Sequence, residues 1–181
     1  MIIAQEKRKT NIAEFILYMW QVEDMIRASK FNFAHIDKTV ISKFSLPDET
    51  LDEIRTWYTN LITLMIEEHI QEKGHMSFLN NLIRELNDLH LRLLQSADEK
   101  KYRQIYQQAS ENIKSFKQKS PETYSSEIEV CLTGLYGYLM LRLQQSEISP
   151  ETKAAMTSFS NLLAALSTRF REVEEGLKEL P

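Results

Sequence analysis

Only four glycines and four prolines punctuate the 181 residues of this chain. The backbone therefore has few places to turn sharply. An all-β fold needs a turn every several residues, so long helices with few connections are the natural solution. Leu, Ile, Met, Glu, Lys and Gln together make up nearly half of the chain, and most of them lose little rotamer freedom in a helix.

Capping and stop signals place seven helices. The first runs from an N-cap near Thr10 to about Lys30, and a short one spans about Asn32 to Phe44. The third begins at Pro47-Asp48-Glu49 and continues to Gly74, which reads as its C′ residue. The fourth spans about Met76 to Gln95 and the fifth Asp98 to Lys119. The sixth and seventh open on one tetrapeptide, Ser120-Pro121-Glu122-Thr123 and Ser149-Pro150-Glu151-Thr152, which reads as serine cap, proline at N1 and an acid near the helix dipole. The residues that follow do not match, so the pair is capping chemistry used twice and not a repeat.

Apolar stripes recur at three- and four-residue spacing. They comprise Leu51, Ile54, Tyr58, Leu61, Ile62 and Met65 in the third helix, and Leu79, Leu82, Ile83, Leu86, Leu89 and Leu93 in the fourth. Tyr102, Ile105, Ala109, Ile113 and Phe116 form the stripe of the fifth. Met156, Phe159, Leu162, Leu163, Leu166, Phe170 and Val173 form that of the seventh. The first helix is apolar nearly all round, since Leu17, Tyr18 and Met25 lie off its main stripe. These features predict an all-α fold: a single domain over residues 1–181, a bundle of six or seven mostly antiparallel helices with the N-terminal helix central.

Twenty-two basic residues against 26 acidic give a net charge of −4, which provides no general attraction to nucleic acid or anionic membrane. A lone cysteine, Cys131, excludes an intrachain disulfide framework and a cysteine-based zinc site. The basic cluster Lys7-Arg8-Lys9 has no apolar core behind it, unlike a secretory signal. The longest apolar stretch, Val130 to Leu143, is about 14 residues, below the ~17–25 that span a bilayer. The chain therefore reads as cytoplasmic, without a membrane partner.

Glu23 is the residue that most departs from pattern. At 100° per residue it falls within the stripe of Ile12, Phe15, Ile16, Met19 and Ile26. A carboxylate on that face needs a partner or a proton. Arg27 lies one turn on, and Trp20 flanks the same side. Trp20, Glu23 and Arg27 thus form a candidate ligand-binding group, with a satisfied charge pair or a stripe edge reaching water as the structural alternatives. Two histidines also fall on stripes. His69 aligns with Tyr58, Ile62 and Met65, and His90 with Leu79, Ile83 and Leu86. A hairpin about Gly74 separates them by roughly 15 Å along the bundle, so they do not share a metal. The same hairpin sets His90 level with Tyr58 and near Arg55, a candidate buried polar cluster of Arg55, Tyr58 and His90. The single Glu-x-x-His, Glu72 and His75, straddles Gly74, and a di-iron site needs two. No metal or other cofactor is expected, and His35 has no partner in the pattern.

No nucleophile elbow, phosphate-binding glycine loop or His-Glu-x-x-His occurs, so no catalytic residue is assigned. Cys131 beside Leu132 and Leu135 suits a buried hydrophobe, and Gly134 and Gly137 suit close approach of a neighbouring helix. Asp98–Lys119 carries +3 and Phe31–Gly74 carries −4. This suggests that the fifth helix pairs with the third, within the chain or across a dimer, and makes nucleic acid an unfavoured partner.

The opening Glu6-Lys7-Arg8-Lys9-Thr10-Asn11-Ile12-Ala13-Glu14, with Tyr18-Met19-Trp20-Gln21-Val22-Glu23-Asp24-Met25-Ile26-Arg27, resembles a family of small bacterial proteins catalogued as a domain of unknown function. The resemblance implies a bacterial, cytosolic, all-helical protein and assigns no site residue. The residues themselves favour a non-enzymatic interaction or scaffold protein acting through helix faces, as a homodimer or with a protein partner. The alternatives are a small-molecule-binding protein using Trp20, Glu23 and Arg27, and a metal-assisted or acid–base hydrolase.

Overall fold

Helix follows helix through the computed structural model, which describes residues 2–180 and contains no strand among them. Eight α-helices and one 310 turn occur in the order α1 (Ile2–Thr10), α2 (Ile12–Ala28), α3 (Phe33–Thr39), the 310 turn (Ile41–Lys43), α4 (Asp48–Glu67), α5 (Ser77–Gln95), α6 (Lys100–Lys119), α7 (Glu127–Leu143) and α8 (Pro150–Glu174). The count exceeds the six or seven read from the sequence because the basic N-terminal stretch is itself helical. Thr10 ends α1 instead of capping α2, and the break falls at Asn11.

By its backbone contacts the chain divides into two compact units. One comprises the chain up to Arg8 together with Glu14–Asn80, and the other Lys9–Ala13 together with Asn81 onward. In the first unit, α3, the 310 turn and α4 pack on one another. Their core is Ile36, Ile41, Ile54, Tyr58, Leu61, Ile62 and Met65, all buried. Asn32 caps α3 by accepting from the His35 N–H at 3.1 Å. The near-continuous apolar character of α2 is matched by burial: only Glu14, Asp24 and Ala28 of its seventeen residues are exposed.

In the second unit, α8 lies against both α6 and α7, which also touch each other. The basic helix α6 thus packs on α7 and α8. Met156, Phe159, Leu162, Leu163, Leu166 and Phe170 of α8 face Tyr102, Ala109 and Ile113 of α6 and Ile128, Val130, Cys131 and Leu132 of α7, all buried. A buried polar residue also serves the unit. Ser167 of α8 accepts the N–H of Ala13 at 3.3 Å, satisfying a donor in the first turn of α2.

Two helix ends differ from the sequence reading. The tetrapeptide at Ser149 does open α8: Ser149 Oγ accepts the Thr152 N–H at 3.1 Å, and Pro150 sits in the first turn. Its counterpart at Ser120 instead closes α6. Ser120 is extended, as the residue before a proline tends to be, and its hydroxyl contacts Tyr124. The cap of α7 is Ser126, with Glu129 returning a bond to the N–H of Ser125 at 2.6 Å. The second difference is that α4 stops at Glu67, short of Gly74. Glu68 is its C-cap, and His69 takes the left-handed conformation (φ 57°) that allows Ile70 N–H to reach Met65 O and His69 N–H to reach Ile66 O. That is a Schellman closure with histidine in the place usual for glycine.

Of the two glycines in α7, only Gly134 meets a neighbour closely. A Cβ there would lie 2.9 Å from Phe159 Cε2, while one on Gly137 would meet nothing within 4 Å. Phe159 is fully buried, so its ring has little room to retreat. Gly134→Ala is expected to destabilise the protein by about 1–3 kcal/mol despite alanine's better helix propensity. Urea unfolding followed by far-UV circular dichroism measures it, and an unchanged midpoint would refute the tight packing of Phe159.

Candidate functional site

Trp20, Glu23 and Arg27 lie at spacings of three and four on α2, so one helical face presents all three. Opposite them runs the connection from α4 to α5. The left-handed His69 turns the chain out of α4, and Gly74 (φ 94°) turns it again just before α5. The sequence reading groups Arg27 with Glu23, as a fellow ligand-binding residue or as its charge partner. In the structure each takes a different part of this connection.

Arg27 binds backbone. Its Nε and Nη2 donate to the carbonyl of Ile70 at 3.3 and 3.2 Å, and Nη2 also donates to the carbonyl of Gly74. Nη1 pairs with Asp24 Oδ1 at 2.9 Å. The planar guanidinium thereby pins both ends of the Ile70–Gly74 segment. Beyond it, the side chain of Asn80 donates to the carbonyl of His75 at 2.9 Å, and Glu68 accepts both the N–H and hydroxyl of Ser77. The connection is thus held at several points by side chains that reach its backbone.

This arrangement delivers His75 and Met76 to Glu23. The carboxylate is completely buried (0% exposed), and both of its oxygens are engaged. Oε1 accepts the N–H of Met76 at 2.8 Å, and Oε2 lies 2.6 Å from His75 Nδ1. An ionised carboxylate can only accept, and in that state the proton of this short contact belongs to Nδ1. The imidazole also stacks on the Trp20 indole, with ring centroids 4.3 Å apart and planes 14° from parallel. The ring is therefore held in plane, and with its proton on Nδ1 a neutral ring has Nε2 as the unprotonated nitrogen. His75 is 33% exposed, and Nε2 makes no hydrogen bond among the described residues. Glu23 is not the floor of an open pocket: His75 covers it.

Residues Arg55, Tyr58 and His90 do not share partners. Arg55 bonds to Asp37 at 2.9 Å and to Asp52 at 2.8 Å, and these two carboxylates raise its pKa above the ordinary value. Tyr58 meets Trp57 edge-on and is raised by burial. His90 belongs to the second unit. It is 1% exposed, with Nδ1 2.7 Å from the Tyr102 hydroxyl and its ring edge-on to Tyr102 and Tyr106. Its Nε2 faces Glu127 Oε2 at 3.8 Å, too far for a direct hydrogen bond. Burial pulls His90 below its ordinary value, against the opposing pull of Glu127. Burial and then Glu127 push Tyr106 up to about 12, and burial likewise raises the Cys131 thiol, which makes it an inert hydrophobe.

One helix end in the second unit lacks cover. Leu135 to Leu141 are all uncharged, yet no residue of α7 beyond Gly134 is buried. Leu141 is 40% exposed and Leu143 67%, and the one charge among them, Arg142, lies 5.9 Å from the ring of Tyr138. No helix of the described residues is long and apolar enough to cross a membrane, and no three His, Cys, Asp or Glu residues among them gather as metal ligands.

The chain belongs to a family described as Domain of unknown function (DUF4924), whose model matches residues 1–177. No curated protein and no solved structure matches it.

Two outcomes follow from these geometries. Glu23→Ala orphans the Met76 N–H and His75 Nδ1 and is expected to cost about 2–4 kcal/mol in urea unfolding. Hydrogen exchange at Met76 should then be faster, and protection retained there would refute the contact. His90 gives a pH dependence. Its folded value lies below that of the unfolded chain, near 6.5, so below that pH the unfolded state binds more protons and stability falls. Measured as a difference from His90→Gln, which does not titrate, this decrease should appear only below about pH 6.5. A difference independent of pH would count against it.

Proposed function

We propose that this DUF4924 protein is a non-enzymatic interaction or scaffold protein of the cytoplasm, working as a homodimer through the C-terminal half of α7. The apolar run Leu135–Leu143, half-buried over most of its length and exposed at Leu141 and Leu143, carries this reading. Apolar area left in water forgoes roughly 25 cal/mol per Å² of burial, and contiguous apolar faces mark interaction sites. With only Arg142 charged between Leu135 and Leu143, the face suits an apolar counterpart, and the same face of a second copy provides one. A single buried, unpaired cysteine suits a reducing compartment.

The Glu23–His75 pair favours a second reading, acid–base chemistry with His75 Nε2 as the base. Among the described residues no serine or cysteine is hydrogen-bonded to that nitrogen, so a base there would act on water, and the interaction reading is preferred for the apolar residues that α7 leaves in solvent.

Sedimentation velocity tests the proposal. The wild-type chain is expected to sediment as a dimer, and the double variant Leu141→Glu, Leu143→Glu as a folded monomer. Removing one central apolar side chain from an interface costs about 2 kcal/mol, roughly thirtyfold in affinity. A wild-type chain that stays monomeric at its highest soluble concentration would overturn the reading.

A further inference from the structure

His75 has more imposed on it than tying a loop to a helix requires. Nδ1 is occupied by a buried carboxylate, the ring plane is set by Trp20, and Nε2 alone is left to react. From this geometry we propose that His75 Nε2 is a phosphoryl-acceptor site, modified by small donors with a good leaving group, of the phosphoramidate or acyl phosphate class. This rests on the dyad alone and is independent of any dimer formed through α7.

The chemistry is a simple displacement. The Nε2 lone pair attacks phosphorus and forms the P–N bond. With phosphoramidate the donor's own P–N bond breaks, and its protonated nitrogen leaves as ammonia. Nothing is oxidised or reduced. The product ring carries a hydrogen on Nδ1 and a phosphoryl group on Nε2, so the imidazole becomes cationic. Glu23 Oε2, 2.6 Å from Nδ1 and fully buried, is placed to hold that charge from the moment it develops. The second carboxylate oxygen is fixed by the Met76 N–H, so little reorganisation is needed. Stacking on Trp20 sets the ring plane, and attraction between the indole face and a cationic ring adds in the same direction. The reaction calls for neither a metal cluster nor an oxyanion hole.

The chain contains its own references. His35 and His69 are exposed, and among the described residues no carboxylate bonds to either ring, while His90 is buried beyond reach of a donor. After incubation with phosphoramidate, peptide mass spectrometry under alkaline conditions locates acid-labile phosphoryl groups, and phosphorus NMR distinguishes the Nε2 isomer. His75, though less exposed than His35 and His69, is expected to be modified about ten- to a hundredfold faster than either. The product should be the Nε2 isomer. Glu23→Gln should bring His75 down to the rate of the references, with circular dichroism confirming that the variant is folded. If that variant does not fold, the wild-type comparison among the three histidines decides alone. Modification of His75 no faster than His35 and His69, or at Nδ1, would overturn the proposal.

Discussion

A carboxylate that has left water altogether governs the first unit. Glu23 sits among apolar residues of α2, where an unpaired charge would cost several kcal/mol. Its two oxygens are satisfied by Met76 N–H and His75 Nδ1, both from a segment more than fifty residues away. The position of the whole α4–α5 connection is therefore tied to one side chain. Arg27 acts beside it in a complementary way, taking carbonyls where Glu23 takes N–H groups. A connection with little regular structure is thus given donors for its acceptors and acceptors for its donors.

The same accounting explains where helices stop. The α4 helix ends seven residues before the glycine that looks like its terminator, because His69 tolerates a left-handed backbone once the Schellman bonds form. Lys30 and Gln145 adopt positive φ at the ends of α2 and α7 in the same way, and Gly176 closes α8. A chain with so few glycines evidently ends helices by hydrogen-bond closure as often as by residue type.

How far the structure could be read from the sequence follows from this. Stripes at three- and four-residue spacing identify buried faces well: Ile54, Tyr58, Leu61, Ile62 and Met65 are all buried, as are Phe159, Leu162, Leu163 and Leu166. Glu23 is legible as an anomaly for the same reason, since periodicity shows that a charge faces inward. Its partner is not. His75 lies in a connection, where no period constrains direction, and nothing local links it to a residue 52 positions earlier. The signal available is one of demand: a buried acid needs a donor, and a histidine directly after a glycine can be turned toward one. Grouping Arg55, Tyr58 and His90 assumes that α4 and α5 form a straight hairpin about Gly74. The chain already turns at the left-handed His69, before that glycine. The two Ser-Pro-Glu-Thr segments show a further limit. Identical residues start α8 in one place and follow α6 in the other, because Ser126 and Glu129 offer a better cap downstream.

Ser167 accepts a hydrogen from Ala13, 154 residues earlier in the chain. During synthesis the first turn of α2 emerges almost at the outset, yet this acceptor is made only when nearly all of α8 has left the ribosome. Until then the Ala13 N–H has water for a partner, and the start of α2 is held by its local bonds alone. The order of manufacture and the order of completion are thus reversed at this point: one of the earliest helices in the sequence is among the last to have its end secured.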